Sequence, residues 1–281
     1  MIKEAVDTIV ECMAISSGDS SIQKVQTEHR LNLAKFWDIK KGDRVLEIGC
    51  GQGDTTAVLA YLVGEKGFVQ GIDIASPDYG SPATLGQAAE VLTKSKLGNQ
   101  IKINFEVDVL SPTIDFPYNS FDIIVLSHCS WYFKTFEQLY DVLKKIKKWG
   151  KKLCFAEWDA RINRSEQLPH FLAVLIQAQY ECFKENSLSN VRTLFTANDL
   201  KDLAERAGWN IIKEQSILSN ALQDGEWEVA NTLRGYQLDL ENLDTMPLKL
   251  KSLIQSEVTI LKEVIKTSEI KPMATYAFIA N

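Results

Sequence analysis

The 281-residue sequence predicts an α/β fold: a seven-stranded, mostly parallel sheet with an antiparallel last strand and added helical inserts. Three observations carry this. First, a short apolar run, Val45, Leu46 and Ile48, stops at Gly49, Gly51 and Gly53, and a helix-like run from Thr55 to Val63 follows at once. Strand, glycine turn and helix make the opening unit of a nucleotide-binding sheet. Second, strand-length apolar runs alternate with helix-period segments along the chain, the pattern of parallel strands joined by crossover helices. Third, Glu47, Asp73 and Asp108 fall at the ends of three successive strand-like runs, the edge where open α/β sheets bind ligands.

Composition excludes several classes. With 45% apolar and 24% charged residues, the chain suits one domain carrying inserts. A formal net charge of -6 without a long basic run disfavours nucleic acid, which is held by neutralising phosphates. The five cysteines are scattered with no CxxC pair, as expected of free thiols in a reducing compartment. There are three histidines and no HxxxH pair, so no metal site is expected. No stretch approaches the ~20 apolar residues of a membrane span, and the acidic start, Met1 to Asp7, lacks a signal core. The expectation is a soluble cytoplasmic protein with no nucleic-acid or membrane partner; oligomeric state is left open.

The glycine spacing narrows the ligand. A dinucleotide fingerprint, G-x-G-x-x-G, would place Asp54 at its third small position, where a carboxylate repels a pyrophosphate. The chain instead reads E-x-G-x-G-x-G from Glu47 to Gly53. This resembles motif I of class I S-adenosylmethionine (SAM) dependent methyltransferases. Their ligand joins adenosine to a zwitterionic amino acid through a sulfonium and has no phosphate. Asp73 stands twenty residues beyond Gly53, at the end of the second strand Phe68–Ile74, where a carboxylate accepts from both ribose hydroxyls.

The resemblance covers about residues 40–160, extends by pattern alone over 190–218 and 271–281, and does not reach the inserts. It implies a Rossmann-like methyltransferase sheet with SAM as cofactor. The cofactor shell it implies comprises Glu47, Gly49, Cys50, Gly51 and Gly53, then Asp73 with Ile74 beside the adenine. Asp108 would accept from the adenine amine, helped by the backbone of Val109, with Ser127 at the end of the fourth strand.

The remaining elements follow in order. Ile2, Val6, Ile9, Val10 and Met13 predict a helix over 2–14, and Ser16 to Ser21 break it. A second helix, 22–36, would present Ile22, Val25, His29, Leu33 and Phe36 on one face. Residues 1–37 are thus expected as a helical cap. His29 and Arg30 lie within reach of the SAM carboxylate, but a solvated helix face is favoured for both. Ser81 and Pro82 resemble an N-cap and first-turn pair starting a helix to Lys96. Tyr79, in the loop before them, would line the site or cover the sheet edge. Residues 101–108 alternate as the third strand. Residues 121–126, nearly all apolar, read as a central fourth strand.

Ser127 to Phe133 would then face the transferring methyl. The segment has no Asn/Asp-Pro-Pro-Tyr/Phe motif of amide- and base-nitrogen methyltransferases, which makes His128, Trp131 and Tyr132 acceptor-pocket candidates. The fifth strand ends in Glu157, Trp158 and Asp159. His128, Glu157 and Asp159 are the candidate bases if the acceptor is a hydroxyl. Helical inserts at 161–190 and 219–270 are expected to form an acceptor lid. Thr196 and Asp199 predict a capping box, and Gly208 a helix stop.

The sequence therefore points to methyl transfer from SAM to a nucleophilic N, O or S atom of a small-molecule acceptor. The alternatives are an enzyme acting on a protein or RNA, a SAM-binding module without turnover, and, third, a dehydrogenase.

Overall fold

The computed structural model describes residues 2–15, 19–187 and 189–281; Ser16, Ser17 and Gly18, part of the expected helix break, lie outside the described residues. Two N-terminal helices, α1 (Ile2–Val10) and α2 (Ser21–Phe36), precede β1 (Arg44–Ile48), α3 (Asp54–Val63) and β2 (Phe68–Ile72). Then come α4 (Leu85–Lys94), β3 (Ile101–Asn104), β4 (Phe121–Ser127), α5 (Phe136–Ile146) and β5 (Gly150–Asp159). The C-terminal part holds α6 (Leu168–Glu181), α7 (Ala197–Arg206), β6 (Ile211–Ile217), α8 (Asp224–Asn242), α9 (Leu248–Thr267) and β7 (Ala274–Ala280).

The seven strands form one sheet in the order β3-β2-β1-β4-β5-β7-β6. Strands β1 to β5 are parallel, whereas β7 runs antiparallel to both β5 and β6. The order reverses between β1 and β4, and such a switch point opens a crevice at the carboxyl ends of the strands. Side chains on β1, β4 and β7 are buried almost throughout, as expected of central strands covered on both faces.

Each face has its own core. On one side α1, α2 and α3 pack Ile9, Leu33, Trp37 and Leu59 against Val45, Val125 and Ala277. On the other, α5 and α7 pack Leu143, Trp149, Leu203 and Trp209 against Leu46, Ile124 and Phe155. A third cluster joins the inserts: Ile176 and Tyr180 of α6 pack with Val229 and Tyr236 of α8 and Ile254, Val258 and Leu261 of α9. Each insert helix alone would leave its stripe in water, so the three bury one another.

Several sequence expectations are revised. Helix α4 is capped by Thr84, with Gln87 completing a capping box, so Ser81 and Pro82 precede the helix and do not start it. Strand β3 ends at Asn104 because Glu106 adopts φ 57°, outside the extended region; Asp108 therefore sits in a loop. The 219–270 insert contains two long helices, α8 running from Asp224 to Asn242. Ile22 is exposed, and α2 buries Gln26, Thr27 and His29 beside its apolar residues. Gln26 and His29 line an internal cavity, and Thr27 bonds to Met13. The box of Thr196 with Asp199 forms as expected, and Gly208 follows the helix at φ 94°.

Candidate cofactor and acceptor site

The glycine turn after β1 needs its glycines. Gly49, Gly51 and Gly53 have φ of 73°, 52° and 88°, where a Cβ is strained. Gly49 has a second constraint: an added Cβ would lie 2.7 Å from the Cys129 Cβ, whereas one on Gly51 would meet nothing within 4 Å. Gly49→Ala is therefore expected to lower unfolding free energy by roughly 2–3 kcal/mol and Gly51→Ala by about 1–2 kcal/mol. Chemical denaturation measures both, and equal losses would show that the Cys129 contact relaxes without cost.

Asp73, just past β2, holds this turn in place. Its Oδ2 accepts from the Gly51 backbone N–H at 2.8 Å, and its Oδ1 from the Ala75 N–H at 2.9 Å. Each oxygen keeps acceptor capacity for a ligand hydroxyl. Next to it, the Ile74 side chain is 65% exposed, an apolar surface at the crevice that an adenine ring would cover. Asp108 is exposed, its Oδ1 accepting from the Leu110 N–H at 2.8 Å. Val109 is buried in the core, which leaves its backbone as the part suited to a ligand.

Glu47 lies under the turn and is 2% exposed. Thr56 of α3 donates to its Oε2 at 2.5 Å, tying strand end to helix start. Burial pushes this carboxyl up to about 8, against the pull of the Thr56 hydrogen bond. The Cys50 side chain is buried against Gly71 of β2, so its backbone remains the part that borders the turn.

The cap is fastened to the same turn. Gln23 donates to Asp54 Oδ1 at 2.8 Å, and Arg30 lies 3.5 Å from Asp54 Oδ2. Asp54, which argues against a pyrophosphate, thus anchors α2. The Arg30 Nε and the Ser127 Oγ are buried without a hydrogen-bond partner. An uncompensated guanidinium N–H near the turn suits an anionic ligand group. Together with the open backbone at Gly51, these groups fit an adenosine ligand that carries a carboxylate.

Beyond β4 and β5 lies a cavity of about 200 Å³. Its lining brings together all three histidines of the chain, His29, His128 and His170, with Glu157, Trp131 and Tyr132. His128 adopts φ 51°, its backbone N–H donates to the Ala156 carbonyl at 2.9 Å, and the residue lines the cavity. Its Nε2 is 3.3 Å from the His29 Nε2, and its Nδ1 is 3.6 Å from Glu157 Oε1. Thr275 of β7 lies 3.3 Å from the His29 Nε2, while Ser219 contacts the His29 Nδ1 at 2.8 Å. His29 is 3% exposed, and burial lowers its pKa well below the usual histidine range, with His128 and Arg30 adding to the effect.

Glu157 is the anchor of this corner. Its Oε2 accepts from the Ser130 N–H at 2.9 Å and hydroxyl at 2.7 Å, and its Oε1 from the Trp158 N–H. Such a carboxylate orients the 128–131 turn and faces His128; its own lone pairs are largely committed. Asp159 is not brought to the cavity. It is 2% exposed and forms a two-point ion pair with Arg161, at 2.8 and 2.7 Å, while accepting from Ser216. Its ion pair with Arg161 and its bond from Ser216 hold it outside the cavity lining, although it shares a strand face with Glu157. Tyr79 does not line the cavity either. It lies in the loop preceding α4, near enough to Tyr132 to reinforce the rise that burial imposes on that phenol.

Sequence reasoning missed His170, Gln26, Asp224 and Glu228 as lining residues and favoured solvent for His29 and Arg30. The one available signal was scarcity: three histidines in 281 residues, one per distant segment. Among the described residues, no group of three or more His, Cys, Asp or Glu side chains is arranged to hold a metal ion, and no helix is long and apolar enough to cross a membrane.

Comparison with known proteins places this geometry. The Methyltransferase domain family matches residues 22–214. A crystal structure of a cyclopropane-fatty-acyl-phospholipid synthase-like protein from Lactobacillus casei superposes with a TM-score of 0.87 at 32% identity, covering 99% of both chains. Methyltransferase phomM' of Diaporthe leptostromiformis is 27% identical over 254 residues, 69% of this chain and 66% of that protein, so the chain spans just under two thirds of that relative. Aklanonic acid methyltransferase DauC of a Streptomyces species is 36% identical over 87 residues, 31% of this chain and 35% of its own. With the E-x-G-x-G-x-G turn, the acid after β2 and the strand order, these matches make the chain a member of the class I SAM-dependent methyltransferase family.

Proposed function

We propose that the protein transfers the SAM methyl group to a nucleophilic atom of a small, polar acceptor seated in the histidine-lined cavity. The observation that carries this is the cavity itself, closed over by α2 of the cap and by α6 and α8 of the inserts. Its walls come from the cap, the β4 and β5 ends and both inserts, so a polymer would have to displace helices to enter. The inserts thus act as the acceptor lid. Aklanonic acid, in the name of one relative, is a small molecule, which agrees with this reading. The name of the L. casei relative points to a fatty-acyl lipid. Most residues lining this cavity are polar or charged, and a long acyl chain would leave them unpaired.

In this reading, Asp73 holds the ribose, Ile74 covers the adenine, and the Arg30 Nε–H meets the carboxylate. When bound, SAM supplies an electrophilic methyl carbon on a sulfonium. The chain's contribution is positioning and exclusion of water, worth several orders of magnitude when the acceptor atom is held in line. His128 lines the cavity, with Glu157 Oε1 3.6 Å from its Nδ1 and the His29 Nε2 3.3 Å from its Nε2. It is the group placed to take a proton from an acceptor that must lose one.

The test begins by incubating the protein with SAM and fractionated small metabolites and measuring S-adenosylhomocysteine. Methylation of protein or RNA in the same extract, with none of small molecules, would overturn the reading. Once an acceptor is found, His128→Ala is expected to lower turnover by roughly 100-fold while SAM affinity stays within about twofold. Collapse of SAM binding alone would instead put His128 in the cofactor shell.

A further inference from the structure

We propose that the acceptor carries an ammonium group and a hydrogen-bond-accepting oxygen, recognised by two separate groups of the cavity lining. This rests on the proposed function above and names the chemical class of its substrate. The first wall is the start of α8. Asp224 and Glu228 lie one helical turn apart and both line the cavity. Their partners are neutral amides: Gln26 donates to Asp224 Oδ2 at 2.7 Å, and Gln177 to Glu228 Oε2 at 2.7 Å. Among the described residues, neither carboxylate has an ion pair to a cationic side chain. The one cation in the lining, Arg30, is engaged by the Gln26 carbonyl and side chain and lies beside Asp54. Burial raises the Glu228 carboxyl, and Asp224 adds to the rise, as expected of a carboxylate pair lacking a countercharge.

Aromatic rings complete that environment. Trp131, Tyr132 and Trp158 line the same space. Ring faces attract an ammonium, more strongly when it is desolvated. A cation in this cavity would neutralise the carboxylates and lie against the rings; an anion would be repelled by Asp224, Glu228 and Glu157 together.

The second wall is His170 on α6. It is fully buried, and its Nδ1 accepts from the Met273 backbone N–H at 3.0 Å. Burial pushes its pKa down to about 3, so the ring is neutral and its proton resides on Nε2. That Nε2 has no hydrogen-bond partner; its nearest ring is Trp158, edge-on at 5.1 Å between centroids. A buried N–H donor without an acceptor at a cavity wall calls for a ligand oxygen. The Met273 bond fixes the tautomer, so the donor cannot become an acceptor by swapping its proton.

The experiment uses the full chain saturated with S-adenosylhomocysteine and three matched probes, with binding read by saturation-transfer NMR. The probes are 2-dimethylaminoethanol, its neutral isostere 3-methylbutan-1-ol, and N,N-dimethylpropylamine, which lacks the hydroxyl. The amino alcohol is expected to bind at least roughly tenfold more tightly than the neutral alcohol and about fivefold more tightly than the amine without oxygen. Glu228→Gln and Asp224→Asn should each erase most of the first preference, with SAM affinity unchanged. Equal or tighter binding of the neutral alcohol, no binding of the amino alcohol at millimolar concentration, or a preference that survives both substitutions would overturn the proposal. Calorimetry with SAM keeps the two readings apart. Absence of SAM binding sinks the proposed function, whereas SAM binding without an amine preference sinks only the acceptor class.

Discussion

Replacing Asp73 by alanine is expected to weaken SAM binding by roughly 1.5–3 kcal/mol, or about 10- to 150-fold in dissociation constant. The carboxylate has two tasks that the structure joins. It accepts from Gly51 and Ala75, which sets the shape of the glycine turn, and it offers its remaining lone pairs to a ribose diol. Alanine removes both. Asp73→Asn separates them in part, because its amide oxygen can still accept from Gly51 while its NH2 can accept neither from the Ala75 N–H nor from a hydroxyl. The expected order of affinity by calorimetry is wild type, then Asn, then Ala. Unchanged affinity in the alanine variant would refute ribose binding at this position. An Asn variant as weak as Ala would show that the Gly51 contact contributes nothing to SAM affinity.

Glu47→Gln is expected to change how stability depends on pH. The folded carboxyl lies at about 8, above its ordinary value of 4.5, because burial disfavours the charged form. Below about pH 4.5 the group is protonated in both folded and unfolded chains and contributes no slope. Between about 4.5 and 8 the unfolded chain releases this proton while the folded one keeps it, so stability falls as pH rises, by up to on the order of 4–5 kcal/mol. Above about 8 both states are ionised, and the loss is complete. Glutamine keeps the shape and an acceptor for the Thr56 hydroxyl but does not titrate. The variant should therefore match the wild type near pH 4.5 and exceed its stability increasingly towards pH 8, measured by urea unfolding at several pH values. Parallel curves for the two proteins would mean that Glu47 is ionised in the fold.

Both residues stood out as candidates from the sequence, and the reason is local. Glu47 and the three glycines are consecutive along the chain, and Asp73 follows at the spacing of one strand-helix-strand unit. Backbone conformation imposes such patterns directly: positive φ selects glycine, and a strand end fixes where a side chain emerges. The same locality explains the correct reading of the Thr196–Asp199 box and the antiparallel last strand. It also explains the errors. Ser81–Pro82 carried a helix-start signal that the capping box at Thr84 overrode. Alternation over 101–108 suggested a strand, but the turn at Glu106 ended it.

The sequence by itself determined the sheet, the glycine turn with its flanking acids and the methyl donor's family, because these depend on periodicity and short-range spacing. Only the tertiary structure decided the histidine-lined cavity. His29, His128 and His170 lie in three distant segments, and Asp224 and Glu228 in a fourth. Each sits within a helix or loop whose own pattern gives it an unremarkable structural role. They meet because α2 is pinned to the glycine turn through Asp54 and because α6, α8 and α9 must bury one another's apolar stripes. Those packing constraints act between remote parts of the chain, so no local pattern records them. They turn α2 from an expected solvated surface into one wall of the cavity, and they place Asp159 against Arg161, outside the cavity lining.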